Sequence, residues 1–354
     1  MVRCWSISAC GVFFCSMLMA IKRAIVRYLC AKVRKSLEKE MKKVVFVLIT
    51  ILFTLQAQAQ ESQEAFSFLR LPVSAHVAAL GGDNITIDDD DPTVIFHNPA
   101  LISNVADKSI NLNFMTYMEG AKTASASFIK AWGERATWGV SAQYMNYGNM
   151  KETTIDNIEV GTFSAKDIAI AGTFAYLLSD RWSGGVSLRF ITSSIASYNS
   201  IGIAADLGLN YLDEERGWSI SATAKNLGGQ VKAYQEEFDK IPIDLLLGVS
   251  KRLDAAPLRF SVTFSRLNRW DTSFIQHVAL GADVFIGESV YIGAGYNFRR
   301  RDEMKISEND GSSSHGAGLS VGGGLTLKRF KLNVAYAKYH VSASSILINA
   351  TYSL

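Results

Sequence analysis

The chain has 354 residues, 48% of them hydrophobic, with 36 Lys+Arg, 33 Asp+Glu and a formal charge of +3. Its apolar runs, such as Val44–Leu55 of about 12 residues, are short of the roughly 20 that cross a bilayer, so a helical membrane protein is excluded. A chain this apolar either buries a very large core or faces lipid as one large all-β barrel.

Residues 1–40 precede what reads as a complete signal peptide and are expected to be an over-extended gene start. Residues 41–59 carry the basic Met41-Lys42-Lys43, the apolar Val44–Leu55 and the Ala57-Gln58-Ala59 exit of a signal peptide, which predicts export with Gln60 as the mature N-terminus. All four cysteines (Cys4, Cys10, Cys15, Cys30) lie upstream, so no disulfide framework or thiol chemistry is expected of the mature chain. The basic charge is local too. Residues 1–43 hold 10 Lys+Arg and 2 Asp+Glu, leaving 26 and 31 and a net of −5 for the remainder, which implies no nucleic-acid partner.

Residues 60–107 are irregular, with Pro72, Gly81-Gly82, the acidic run Asp88–Asp91, Pro92 and Asn98-Pro99; they are expected to form a plug segment inside a barrel spanning 108–354. From Ser109 the text alternates with period 2, the mark of strands with one apolar face. The alternation predicts strands over 109–118, 122–132 (the weakest), 136–147, 166–177, 181–192, 200–212, 217–227, 243–252, 257–266, 274–287, 289–298, 315–328, 329–340 and 346–354. That is an all-β transmembrane antiparallel barrel of about 14 strands, an even number as bacterial barrels require. Periodicity alone does not say which face meets lipid. Strand lengths near 10 residues and aromatics near strand ends, such as Tyr176 with Trp182 and Tyr211 with Trp218, favour apolar-out.

Short links near 133–135, 179–180, 213–216, 254–256, 287–288 and 328–329 alternate with longer ones at 148–165, 193–199, 228–242, 267–273 and 299–314. This parity predicts short periplasmic turns, longer external loops and both termini in the periplasm. All five prolines (Pro72, Pro92, Pro99, Pro242, Pro257) avoid strand interiors, where a missing N–H would break the ladder.

No residue set points to catalysis, a cofactor or a metal, and the chain is not expected to be an enzyme. Ser127-Phe128-Ile129-Lys130 has the Ser-x-x-Lys spacing of penicillin-binding proteins, but it sits on an alternating strand and lacks the companion Ser-x-Asn and Lys-Thr-Gly motifs. Asp88–Asp91, with Asp83 nearby, offers oxygen ligands for Ca²⁺ but lacks the Gly and Glu of an EF-hand loop, and a solvated or plug-side turn is the favoured reading. His76, His97, His277, His315 and His340 show no zinc-ligand spacing. Gly322-Gly323-Gly324 falls inside a strand, where small residues ease curvature or packing against a plug.

Four stretches carry a family resemblance: Phe96-His97-Asn98-Pro99-Ala100-Leu101 (after Phe68-Leu69-Arg70-Leu71-Pro72 and Gly81-Gly82), Met115–Gly120, Gly161–Asp167 and Lys225–Val231. Over nearly all of 60–354 the chain resembles the PorV/PorQ family of FadL-like outer-membrane barrels, and the four together are most similar to its PorQ branch. The resemblance implies a multi-pass barrel of the outer membrane, in contact with its lipid, that serves type IX secretion. Its place there is the attachment complex, anchoring a PorZ-like surface protein beside PorU-like and PorV-like components. Loops 148–165, 228–242 and 299–314 are the expected contact points. The alternatives are a FadL-like conduit for hydrophobic small molecules, or a soluble periplasmic enzyme on a β-sandwich.

Overall fold

The structure, a computed structural model, describes residues 64–354 except 157, 305, 309–310, 314–315 and 341–342; the segments 1–40 and 41–59 lie outside the described residues. Alternation becomes strand where the sequence expects it: β1 (Ser109–Thr116), β2 (Lys122–Trp132), β3 (Ala136–Thr153), β4 (Glu159–Leu177), β5 (Trp182–Ile195), β6 (Tyr198–Asp213), β7 (Trp218–Lys232), β8 (Asp244–Arg252), β9 (Leu258–Phe264), β10 (Val278–Ile286) and β11 (Val290–Asn297). A small hairpin, β12 (Ile306–Glu308) and β13 (Gly311–Ser313), interrupts the series before β14 (Leu319–Leu327), β15 (Phe330–Ala337) and β16 (Ser345–Ser353). The barrel comprises β1–β11 and β14–β16, each antiparallel to its neighbours, and β1 closes on β16 from Ser109 opposite Ser353 to Met115 opposite Leu347. Closure removes both sheet edges, which in hydrocarbon would cost several kcal/mol for each unpaired backbone group.

The apolar face points outward. Along β1, Leu112 is 60% exposed while Asn111 beside it is fully buried, and Ile170, Leu188, Phe190, Ile203 and Val321 repeat the pattern on other strands. A soluble sandwich has the reverse arrangement, so this is a transmembrane barrel of the outer-membrane type. Pro242 and Pro257 flank β8 and β9 without entering them.

Several predicted boundaries move. β3 and β4 run through most of the expected loop 148–165, leaving only 154–158 as the link; β5 and β6 leave only 196–197 of 193–199; β7 continues to Lys232. Residues 149–156 and 159–162 are largely exposed on both faces of their strands. There the hairpin stands beyond the bilayer, both faces meet water, and no alternation is demanded. Phe274–His277, expected to open a strand, forms a 3-10 turn, and the loop 299–314 begins in a short helix, α2 (Phe298–Glu303). The result is a one-sided rim: β3–β7 are 18, 19, 14, 16 and 15 residues long, against 8, 7, 8 and 8 for β1, β9, β11 and β15.

Residues 64–107 lie against the inner wall. They form a 3-10 turn (Ser67–Arg70), helix α1 (Ala75–Ala79) and two further 3-10 turns (Pro92–Phe96 and Pro99–Asn104). Each of the last three is capped by the residue before it. The Ser74 hydroxyl accepts from Val77 N at 3.2 Å, Asp91 from Thr93 N at 3.0 Å and Asn98 from Ala100 N at 3.0 Å, and Pro92 and Pro99 occupy the first turn, where no N–H is needed. The wall receives this segment with apolar residues that break its polar inner face. Met145 and Ile191 pack with Phe66, Phe68 and Leu69; Ile129 packs with Val94, Ile95 and Leu101; Met115 and Leu347 pack with Ala75 and Ala79 of α1.

Candidate functional site

The inner face is polar because lipid takes the apolar one. Its charged groups cluster where the N-terminal segment meets the wall, in two places at opposite ends of the barrel. At the tight-turn end, Arg259 of β9 is almost wholly buried. Its Nε and Nη2 donate to Asp283 Oδ2 of β10 at 2.9 and 2.7 Å. The same guanidinium forks onto Asp89, Nη1 to Oδ1 at 2.8 Å and Nη2 to Oδ2 at 2.6 Å. His76 of α1 meets Asp283 Oδ1 through Nε2 at 3.0 Å and stacks on Tyr291 with ring centroids 3.9 Å apart. One arginine thus ties two strands to two points of the N-terminal segment.

The electrostatics follow from that geometry. Burial and the neighbouring Asp89 charge push Asp88 up to about 6, against the pull of Arg259. Burial alone would raise Asp89 as well, but Arg259 and His76 outweigh it and hold Asp89 below its ordinary value. The rest of the acidic run is also engaged: Lys331 Nζ donates to Asp90 Oδ2 at 2.7 Å, and Asp91 is the cap noted above. Arg259 and Lys331, rather than solvent alone, face Asp88, Asp89 and Asp90 of the run.

The second cluster builds on a bulge. The pairing of β6 with β7 slips between Ala205–Leu227 and Leu207–Ala224, and Asn226 takes a left-handed φ of +57°. Asn226 N donates to Asp206 Oδ1 at 2.7 Å and its Nδ2 to Pro242 O at 3.0 Å. Arg189 donates to Asn226 Oδ1 at 2.6 Å and to Asp206 Oδ2 at 2.7 Å. The extra residue turns both Lys225 and Asn226 to the lumen. They line a cavity of about 170 Å³ at the rim end, together with Arg70, Asp83, Asp244, Arg266, Arg299, Arg300 and Tyr339 among others. His97 lies at its edge; burial first, then the charges of Lys225 and Arg189, push it well below its ordinary value, so it is neutral and its Nε2 accepts from Ser74 N at 3.3 Å.

Close approach of the segment to the wall is made possible by glycines. A Cβ on Gly295 would stand 2.3 Å from Gly81 N and 2.4 Å from Leu80 C, and one on Gly185 would stand 2.4 Å from Pro99 C. Gly322 likewise faces Ala79, while Gly323 and Gly324 face Tyr291 and Asn333 of the wall.

The structure also places the other candidates. Ser127 is buried on the inner face of β2 while Lys130 is exposed on the other, as an odd spacing along a strand requires, so the two do not meet. His76, His97 and His277 lie in separate settings, and His315 lies outside the described residues. The sequence reading missed Arg259, Asp283, Arg189 and Lys225 as functional residues. The available signal was a charged residue at an inward position of an alternating strand. Three of the resembling stretches build contacts here: Asn98-Pro99 seats the segment on Gly185 and Gly208, Lys225–Val231 makes the bulge, and Asp167 accepts from Tyr147 Oη at 2.7 Å and from Ser193 Oγ.

These features define an outer-membrane β-barrel of 14 strands with an N-terminal segment packed in its lumen. Solved structures agree on the fold. The chain is similar to the toluene transporter TodX of Pseudomonas putida (TM-score 0.53, 13% identity, covering 79% of this chain and 97% of TodX). It is also similar to the monoaromatic hydrocarbon channel CymD (0.51, 14%, 80% and 98%) and to a Pseudomonas aeruginosa FadL homologue (0.51, 11%, 79% and 98%). No protein-family model and no curated protein sequence matches the chain.

Proposed function

We propose that this barrel anchors a surface partner, as a PorQ-like member of the type IX secretion attachment complex holding a PorZ-like protein near PorU-like and PorV-like components. The observation that carries the reading is the one-sided rim. β4 has 19 residues where about 10, tilted about 45°, cross the membrane, so its hairpin with β3 runs roughly 30 Å along the strand, about 20 Å of height, past the lipid at ~3.3 Å per residue. That wall and its neighbours display Ile155, Ile158, Val160, Val231 and Phe238 to solvent, the kind of exposed apolar set that marks a protein contact. The four resembling stretches support the same assignment. In this reading residues 60–107 are a fixed plug, and the chain has no catalytic activity of its own.

The deciding experiment is a pull-down of the tagged barrel from detergent-solubilised membranes of its own host. A single surface protein should co-purify, and deleting 151–160 should release it. Recovery of the barrel alone would remove the anchoring role.

A second reading is favoured by the solved structures: a FadL-like channel for hydrophobic small molecules, since TodX and CymD are described as such channels. Against it stands a lumen whose cavity is lined by Arg70, Lys225, Arg266, Arg299 and Arg300, a poor environment for hydrocarbon. Uptake of fatty acid or toluene into liposomes faster than a protein-free control would support the channel.

A further inference from the structure

From the rim-end cavity we infer a binding site for a phosphate-class oxyanion, held between the bulge of β7, the helix α2 and the N-terminal segment. Five cationic side chains line it, Arg70, Lys225, Arg266, Arg299 and Arg300, against three carboxylates, Asp83, Asp244 and Glu303. Arg70 pairs with Glu64 and Arg266 with Glu303. Among the described residues no carboxylate forms an ion pair with Lys225, Arg299 or Arg300.

Two of these three are more than nine-tenths buried, Arg299 at 9% exposure and Arg300 at 7%. Arg300 Nη2 donates to Gly81 O at 2.6 Å and its guanidinium lies 4.1 Å over the Tyr339 ring. Among the described residues Arg299 Nη2 meets only His277 Nδ1, at 3.3 Å. Arg299 Nε, Arg300 Nη1, Arg70 Nε and Tyr339 Oη are buried with no hydrogen-bond partner among the described residues. Four unsatisfied polar atoms, three of them cationic donors, thus gather on one cavity.

Leaving a buried donor unsatisfied is costly, and more so when it is charged. Guanidinium forks match the oxygens of phosphate, sulfate or carboxylate. A surplus of two positive charges selects a dianion over a single carboxylate. The volume, about 170 Å³, exceeds the ~10–15 Å³ that one water requires by enough to admit a hydrated tetrahedral ion. A free phosphate and the phosphoryl group of a membrane lipid present the same chemistry.

The test uses the detergent-purified processed protein and inorganic phosphate. Phosphate should raise the thermal midpoint above that in chloride of equal ionic strength, in proportion to the logarithm of its concentration once saturating. Lys225→Met is the cleanest variant, because among the described residues its ammonium holds no other part of the fold through a hydrogen bond. It should weaken the phosphate response about tenfold while leaving the heat-modifiable migration of the barrel unchanged; Lys225→Arg should restore it, and Arg299→Gln should weaken it further. Native mass spectrometry separates the sources: a phosphorylated lipid on the isolated protein that excess phosphate displaces identifies a headgroup, and a phosphate response with no bound lipid identifies the free ion. Equal midpoints in phosphate and chloride with nothing phosphorylated on the protein would overturn the site. So would a phosphate response unchanged in both Lys225→Met and Arg299→Gln.

Discussion

Arg259 and Asp89 are 170 positions apart in the chain and 2.6 Å apart in the fold. The guanidinium of one and the carboxylate of the other join the barrel wall to the segment inside it. Because Asp283 shares the same arginine, the joint is a three-body network rather than a single pair.

Removing Arg259 takes the guanidinium from Asp88 and Asp89 and leaves Asp283 with His76, in a poorly solvated place. Breaking a buried pair from one side typically costs about 3–5 kcal/mol. Arg259→Met should therefore leave a closed barrel whose N-terminal segment is cut by protease at concentrations the parent resists. Arg259→Lys should recover little, since an ammonium cannot fork onto Asp89 while reaching Asp283. Limited proteolysis with N-terminal sequencing reads both.

Acidity should act on the same joint. Asp88 sits at about 6 against an ordinary 3.8, so the folded state binds its proton more tightly than the unfolded state. Its charged form is a burden above pH 6, relieved as pH falls from about 6 towards 3.8. Asp88→Asn should raise the thermal midpoint by a few degrees at pH 8 and lose that advantage near pH 4. His97 works in the opposite sense. Depressed when folded, it contributes nothing above its ordinary 6.5 and lowers stability below it, so midpoint curves of the parent and of Asp88→Asn should both carry a downward acid limb.

Gly295→Ala places a methyl 2.3 Å from the Gly81 amide nitrogen, backbone that cannot rotate aside. Overpacking of this kind costs about 1–3 kcal/mol. Gly172→Ala, with nothing among the described residues within 4 Å of the new atom, is the matched control and should stay within about 0.5 kcal/mol. Urea midpoints of the two variants in the same detergent test this.

On the outer face depth should set the penalty. Leu188, mid-strand in β5 and 65% exposed, should cost about 2–4 kcal/mol as Leu188→Arg, while Leu354→Arg at the strand end should cost about 0–1. Equal unfolding free energies for the two in lipid vesicles would count against Leu188 lying near the bilayer centre.

The sequence by itself determined the number of barrel strands, which residues share a face and the tight turns, because a period of 2 is local and lipid enforces it on every membrane strand. Ile129, Met145 and Ile191, apolar residues on an otherwise polar face, were not singled out, because their meaning needs a partner to be seen. Only the tertiary structure decided that β3–β7 overrun the bilayer, since a strand wet on both sides has no pattern to read. It alone brought Arg259 to Asp89 and turned Lys225 into the lumen. The first contact spans 170 positions, and the second arises from a one-residue slip between strands, so neither leaves a trace in local periodicity.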